Sequence, residues 1–300
     1  MWLAMEVDPD FSPHSGELAR TRVAIIGLGL MGGSLALALQ GHCAAILGVD
    51  PDPETRELAL ERGIVEQISP DPRQILTQAD LVVLAAPVNA ILQLLADLPD
   101  LHPTSAVVMD LGSTKAHIVD AMQCLPARFD PLGGHPMCGK EKGGLRHSEA
   151  TLFKSAAFAL TPLERTSPGA LALAAELVTA VGSHAVWLDP AMHDRWTART
   201  SHFPYLAASL LAGITPVEAA PLAGPGFRST TRVAATPPAV MLDILMTNRD
   251  ELLAALRDFR QDLDQMEHSL AQADRAELSQ MLERGRMRRS ELLREGGAPA

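Results

Sequence analysis

The chain has 300 residues, 47% of them hydrophobic and 20% charged, and a formal net charge of −11. That length supports one large or two ordinary domains, each with its own core. The acidic balance without a long basic block argues against a nucleic-acid partner, and no apolar run approaches the ~20 residues that span a membrane.

The N-terminus lacks a charged-then-apolar leader pattern. Cys43, Cys124 and Cys138 are odd in number and far apart, which suits a reducing cytoplasm and offers no cysteine metal cage. Residues 1–20, with Pro9, Pro13 and Gly16, read as a flexible tail. From Arg22 onward, short apolar runs alternate with helical patterns, which predicts an α/β Rossmann-type domain with a parallel sheet over 21–188. Its first strand is Val23–Ile26, followed by a glycine-dense turn and a helix starting near Met31. The second strand is Ala45–Val49, ending at Asp50, and a helix after Pro53 stops at Gly63. Leu81–Ala86, closed by Pro87, and Ala106–Met109 are further buried strands. Ala156–Leu160 and His184–Leu188 follow, with a helix at Pro168–Val181 between them. After Asp189 the strand signals stop, and 189–300 reads as an all-helical domain. There Leu252, Leu256, Phe259, Leu263, Met266 and Leu270 form a heptad-like seam, which fits either a helix of the same subunit or a two-fold dimer, with the dimer preferred. The arginines at 284, 286, 288 and 289 read as a solvated face.

Gly27, Gly29 and Gly32 fit G-x-G-x-x-G between a strand and a helix, a spacing suited to a tight turn, close approach of a pyrophosphate and tight helix–strand packing. Asp50 lies about 20 residues on, where a carboxylate can accept hydrogen bonds from the adenosine ribose of NAD. It would also repel a 2′-phosphate by ~1–4 kcal/mol, or ~10- to 1000-fold, at contact distance. NAD is therefore preferred, and Arg56 keeps NADP open. The other reading of Asp50 is a turn residue in Asp50-Pro51-Asp52-Pro53. The cofactor site is expected to comprise Gly27, Leu28, Gly29, Leu30, Met31, Gly32, Asp50, Pro87 and Ser113.

Asp110-Leu111-Gly112-Ser113-Thr114-Lys115 follows a strand at the ligand-binding edge of the sheet, with Ser113 also a candidate N-cap for a helix at Lys115–Met122. Gly133-Gly134-His135-Pro136-Met137-Cys138-Gly139-Lys140-Glu141 reads as a glycine-rich loop that holds a catalytic His135, with Cys138 as small apolar filler. His193 and His202 lie nine residues apart on one predicted helix, about 180° apart, so at most one faces a given pocket. Arg228 and Arg232, four apart, can share a face suited to gripping carboxylates.

GLGLMGGS, DLGSTK, GGHPMCGKE, HD…SHFP and GFRSTTRVA, in this order, resemble the prephenate/arogenate dehydrogenase family of tyrosine biosynthesis over about residues 21–270. The resemblance implies an NAD(P)-binding domain joined to an all-helical dimerisation domain, with the active site between them and a homodimer as the assembly. It implies oxidative decarboxylation of prephenate, with hydride leaving the carbinol carbon as the hydroxyl loses its proton, CO2 departs and the ring becomes aromatic. His135 then matches the histidine that accepts the hydroxyl proton, and Ser113 a serine bridging nicotinamide and substrate. His202 matches a substrate-pocket histidine, Arg232 the carboxylate-binding arginine, and Arg228 its helper. No metal is required, since aromatisation and CO2 release drive the step.

Cys138 and Lys140 stand where many relatives have a small residue and a threonine. Lys140 and Glu141 border the substrate in this reading, so arogenate remains the alternative substrate. Glu141 could meet its ammonium, act as a gate, or pair with Lys142. No C-terminal regulatory domain or fused mutase is expected. A two-domain hydroxyacid dehydrogenase with a catalytic lysine in its helical half is disfavoured, because no lysine follows Lys154. A non-catalytic nucleotide-binding protein is disfavoured by the joint presence of Ser113, His135, His202 and Arg232.

Overall fold

Eight strands form one sheet in the order β3-β2-β1-β4-β5-β6-β7-β8. The structure, a computed structural model, describes residues 16–295. The strands are β1 (Arg22–Ile26), β2 (Ala45–Val49), β3 (Gln67–Ser69), β4 (Leu81–Leu84), β5 (Ala106–Asp110), β6 (Phe129–Pro136), β7 (Ala157–Pro162) and β8 (His184–Trp187). The first six in this order are parallel, the arrangement of a dinucleotide-binding sheet. β7 runs antiparallel to β6 and carries β8 with it, so the expectation of a parallel sheet fails at that edge.

Alternation along β1 shows why the sheet needs helices on both faces. Val23 and Ile25 join one core with Leu35 and Leu39 of α1 (Leu30–Leu39), while Ala24 and Ile26 join the other. That second core is built by α3 (Pro72–Leu76), α4 (Val88–Leu101) and α5 (Ala116–Gln123), placed after α2 (Pro53–Glu61) in the chain. On the first face, Leu173 and Leu177 of α6 (Pro168–Ala180) pack beside α1. Helix starts follow local chemistry: Asp52, Asp71 and Ser167 accept backbone N–H bonds at the N-termini of α2, α3 and α6, each followed by a proline.

Most of the predicted N-terminal tail lies outside the described residues. Leu18–Arg20, however, forms a 3-10 turn with Leu18 buried, and the Leu18 N–H donates to Glu176 at 2.9 Å. Those three residues belong to the fold. Beyond the sheet come α7 (Pro190–Thr197), a π turn at Ala198–His202, α8 (Phe203–Ile214), α9 (Pro225–Thr231) and α10 (Pro238–Thr247). By packing, all of these share one compact unit with the sheet through Arg249, so the predicted boundary at Asp189 marks where strands end and helices take over. The second unit, from Asp250, contains nearly all of α11 (Arg249–Ala271) and α12 (Arg275–Glu295). On the predicted heptad seam Phe259, Leu263 and Leu270 are 48%, 51% and 62% exposed.

Candidate active site

The glycine turn after β1 is built for close approach. Gly27 has φ +93°, and a Cβ there would lie 2.6 Å from the Ala85 carbonyl oxygen. At Gly32 a Cβ would fall 1.9 Å from the Gly27 oxygen, whereas Gly29 faces open space. Gly29 is also the N-cap of α1 and has no capping side chain, so the helix presents free N–H groups at the turn. Asp50 is buried and holds the turn from below, accepting from the Leu28 N–H at 2.7 Å and from the Asp52 N–H at 2.9 Å. Two accepted bonds leave a carboxylate with further lone pairs for a ribose diol. These features fit a dinucleotide. The Leu28 and Leu30 side chains are buried and Met31 packs against the core, so at the turn these residues present backbone. Arg56 donates to the carbonyls of Asp50 and Pro51 and thereby braces the strand end.

At the ends of β5 and β6 lies a dry polar core. Lys115 and Asp110 are fully buried and paired, and Lys115 Nζ also donates to the Gly134 carbonyl at 2.7 Å. Asp110 accepts further from the N–H groups of Gly112 at 2.7 Å and Gly134 at 3.1 Å. Burial pushes the Asp110 carboxyl up and the Lys115 ammonium down, while their mutual attraction opposes both shifts. Two backbone donors on Asp110 and a carbonyl on Lys115 complete the hydrogen bonding that an ionised buried pair requires.

Directly beside this pair, His135 is not on a loop. Gly133-Gly134-His135-Pro136 is the buried end of β6, hydrogen-bonded to β7 with His135 opposite Ala159. The glycines reflect crowding: a Cβ on Gly133 would sit 2.2 Å from Thr161 Oγ1, and one on Gly134 2.7 Å from the Asp110 carbonyl oxygen. His135 Nδ1 lies 2.9 Å from His193 Nε2, and His193 Nδ1 lies 2.8 Å from Asp194 Oδ1. Burial first, then the charges of His193, Lys115 and His202, hold the His135 imidazole well below the usual range. Burial raises Asp194, but the hydrogen bond from His193 and the N–H groups of Ala116 and Lys115 outweigh it, and the carboxyl falls below its usual range.

His202 is also buried, with Nδ1 3.1 Å from Asn248 Nδ2, which donates to the Asp194 carbonyl at 2.8 Å. Its Nε2 is buried with no hydrogen-bond partner among the described residues. Burial lowers His202 to about 4, with Asp194 opposing and His193 assisting. The expectation that His193 and His202 point to opposite sides fails, because the π turn at Ala198–His202 winds less per residue and shifts the phase between them. Both histidines therefore act on the same neighbourhood.

Ser113 is half-buried in the loop after β5, but it does not cap α5. That end is capped from another helix: Asp194 accepts from the N–H of Lys115 at 2.7 Å and of Ala116 at 2.9 Å. Arg232, in a 3-10 turn after α9, pairs with Glu141, so the partner of Glu141 is not Lys142. Lys140 pairs with Glu149 at 2.8 Å and donates to the His147 carbonyl. Arg228 Nε donates to the Ala223 carbonyl. Sequence reasoning assigned no site role to Asp110, Lys115, His193, Asp194 or Asn248. The available signals were an acid and a lysine five apart beside an apolar strand, and an adjacent His-Asp pair.

Comparison with known proteins gives two family matches: "Prephenate dehydrogenase, nucleotide-binding domain" over residues 35–187 and "Prephenate dehydrogenase, dimerization domain" over 189–284. The chain is 33% identical over 288 residues to prephenate dehydrogenase of Bacillus subtilis, covering 92% of this chain and 77% of that one. Among solved structures, prephenate dehydrogenase from A. aeolicus in complex with hydroxyphenyl propionate and NAD+ matches with TM-score 0.83 and 28% identity, over 92% of this chain and 99% of that one. Synechocystis arogenate dehydrogenase matches with TM-score 0.77 and 31% identity, over 90% and 99%.

Proposed function

The chain belongs to the prephenate dehydrogenase family, and from that premise we propose that it converts prephenate to 4-hydroxyphenylpyruvate and CO2 with NAD as oxidant. The observation that carries this reading is the buried His135, kept neutral by its surroundings, with the buried His202 among the charges acting on it and His202 Nε2 without a hydrogen-bond partner among the described residues. A neutral imidazole accepts a hydroxyl proton, and base assistance of this kind contributes ~10²–10⁴-fold.

The glycine turn would hold NAD, with Asp50 accepting from its ribose hydroxyls, and NAD when bound would supply the hydride acceptor. His135 takes the proton of the ring hydroxyl as the carbinol carbon gives up hydride, and it returns that proton to the phenolate oxygen once CO2 has left. His202 offers its Nε2 to the substrate, and Ser113, at the sheet edge, would bridge substrate and nicotinamide. Arg232 binds a substrate carboxylate by exchanging Glu141 for it. That exchange is inexpensive, since an exposed ion pair is worth roughly 0–1 kcal/mol and the Arg232 side chain is 65% exposed.

The same exchange bears on substrate choice: it frees Glu141 while Arg232 holds the substrate carboxylate, so arogenate, whose ammonium Glu141 could meet, stays the alternative substrate. Assembly as a homodimer through the helical part is supported by the dimerization-domain match and by the exposed seam of Phe259, Leu263 and Leu270. A cytoplasmic setting is supported by three free cysteines. Among the described residues no helix is long and apolar enough to cross a membrane. NADH formation by the purified chain with prephenate and with arogenate, each with NAD and NADP, is the test. Turnover of prephenate with NAD is expected, and absence of turnover in all four combinations overturns the reading.

A further inference from the structure

We propose that His193 and Asp194 are positioning residues that set the tautomer of His135, so that its Nε2 presents a lone pair to the substrate hydroxyl. The inference rests on the assignment of His135 as the base and adds the device that makes it one.

The argument starts at Asp194. Its carboxylate takes the Lys115 N–H at Oδ1 and the Ala116 N–H at Oδ2, at 2.7 and 2.9 Å, so it sits at the N-terminus of α5. Donated N–H groups and the positive end of the helix both favour the ionised form, and an ionised carboxylate can only accept. His193 Nδ1, 2.8 Å from Oδ1, must therefore carry a hydrogen. A neutral imidazole has one N–H, and so His193 Nε2 is left as an acceptor. At 2.9 Å from that atom, His135 Nδ1 must be the donor. The same rule, applied once more, leaves His135 Nε2 bare.

With His193 neutral, each link excludes the opposite assignment. Were His135 to carry its proton on Nε2, its Nδ1 and His193 Nε2 would face one another as two lone pairs in a dry site, an unmade hydrogen bond that is costly when buried. The remaining groups facing His135 reinforce the neutral state: Lys115, held by Asp110, and His202, held by Asn248. When His135 takes the substrate proton it becomes a donor at both nitrogens. Its Nδ1–H then points at His193, whose own Nδ1–H points at Asp194, so the new positive charge faces an ordered pair of dipoles ending on a carboxylate. Asp194 orients and stabilises without itself being protonated, as in other acid–histidine arrangements.

The test combines a tautomer measurement and a kinetic one, both on the full chain. In 15N imidazole NMR without substrate, with His135 assigned through His135→Asn, the ring is expected to show a protonated Nδ1 and a bare Nε2. A proton on Nε2 overturns the proposal, whatever the enzyme turns over. His193→Leu is expected to lower kcat about 10²-fold, within the range that base assistance supplies, with the KM for NAD within about twofold. His193→Gln, whose side-chain oxygen can take the His135 Nδ1 proton, is expected to restore most of the loss. If both variants bind NAD normally and lose kcat equally, or if neither loses it, His193 merely fills space and the proposal fails. Should the leucine variant not fold, the glutamine variant and the wild-type tautomer still decide. A wild-type chain with the expected tautomer but no turnover of prephenate counts against the functional reading and not against the tautomer.

Discussion

Replacing Lys115 by methionine removes the cation paired with the Asp110 carboxylate. Both side chains are fully buried, and the remaining partners of Asp110 are the N–H groups of Gly112 and Gly134. Deleting one member of a buried pair costs about 3–5 kcal/mol, because the survivor stays charged and dry. Against a typical total of ~5–15 kcal/mol the variant keeps little margin. Asp110 can escape by taking a proton, since burial already pushes its carboxyl up and Lys115 no longer pulls it down. A folded-state pKa above the unfolded one means that the unfolded chain ionises first as the pH rises, so the deficit grows with pH and shrinks in acid. Urea unfolding of wild type, Lys115→Met and Lys115→Met/Asp110→Asn at about pH 5.5 and about pH 8.5 measures this. The single variant is expected to lose more at the higher pH, and the double variant to recover most of the loss, because the asparagine leaves no buried charge. A loss below about 1 kcal/mol at both pH values, or a double variant weaker than the single, refutes the reasoning.

His135→Asn should lose ~10²–10⁴-fold in kcat with NAD affinity intact, and a near-normal rate would remove His135 from the role of base. Arg232→Ala should raise the KM for prephenate with little change in kcat; an unchanged KM leaves the arginine as a partner of Glu141 only. Asp50→Ala should relax the preference for NAD over NADP by roughly 10-fold or more, and a constant ratio reduces Asp50 to the brace of Leu28 and Asp52. His202 is held at about 4 in the folded chain against 6.5 unfolded. Between those values the unfolded chain binds the extra proton, so stability should drop by about 3 kcal/mol as the pH falls through that window. His202→Asn should flatten that part of the stability profile, and an equally steep acid limb in the variant would assign the loss to other groups.

The sheet was legible where its strands are unbroken apolar runs, as at Ala45–Val49, because burial on both faces leaves no polar positions to confuse the pattern. The end of β6 was illegible for the opposite reason. Gly133, Gly134 and Pro136 are turn formers by composition, and only the neighbouring Thr161 and Asp110 explain why glycine must stand in a strand there. His135 could be found from local sequence, but its partners could not. His193 is 58 residues away, and Asp194 caps α5 from 78 and 79 residues away, distances across which no local pattern reads. Glu141 and Arg232 were each singled out, yet their pairing spans 91 residues and appears only in the folded chain.

The π turn at Ala198–His202 makes the spacing between His193 and His202 a matter of length as well as composition. A π turn winds less per residue than the roughly 100° of an α-helix, so this turn spends about one residue more than ordinary winding needs to bring His202 to the same side. Deleting one residue and letting α winding resume would therefore leave His202 facing Asn248, whereas inserting a further one would swing it away. Many single replacements at the outward positions of the turn should be absorbed. The segment therefore tolerates a loss better than a gain, and across related chains an insertion inside it would mark a different pocket more reliably than any exchange of side chains would.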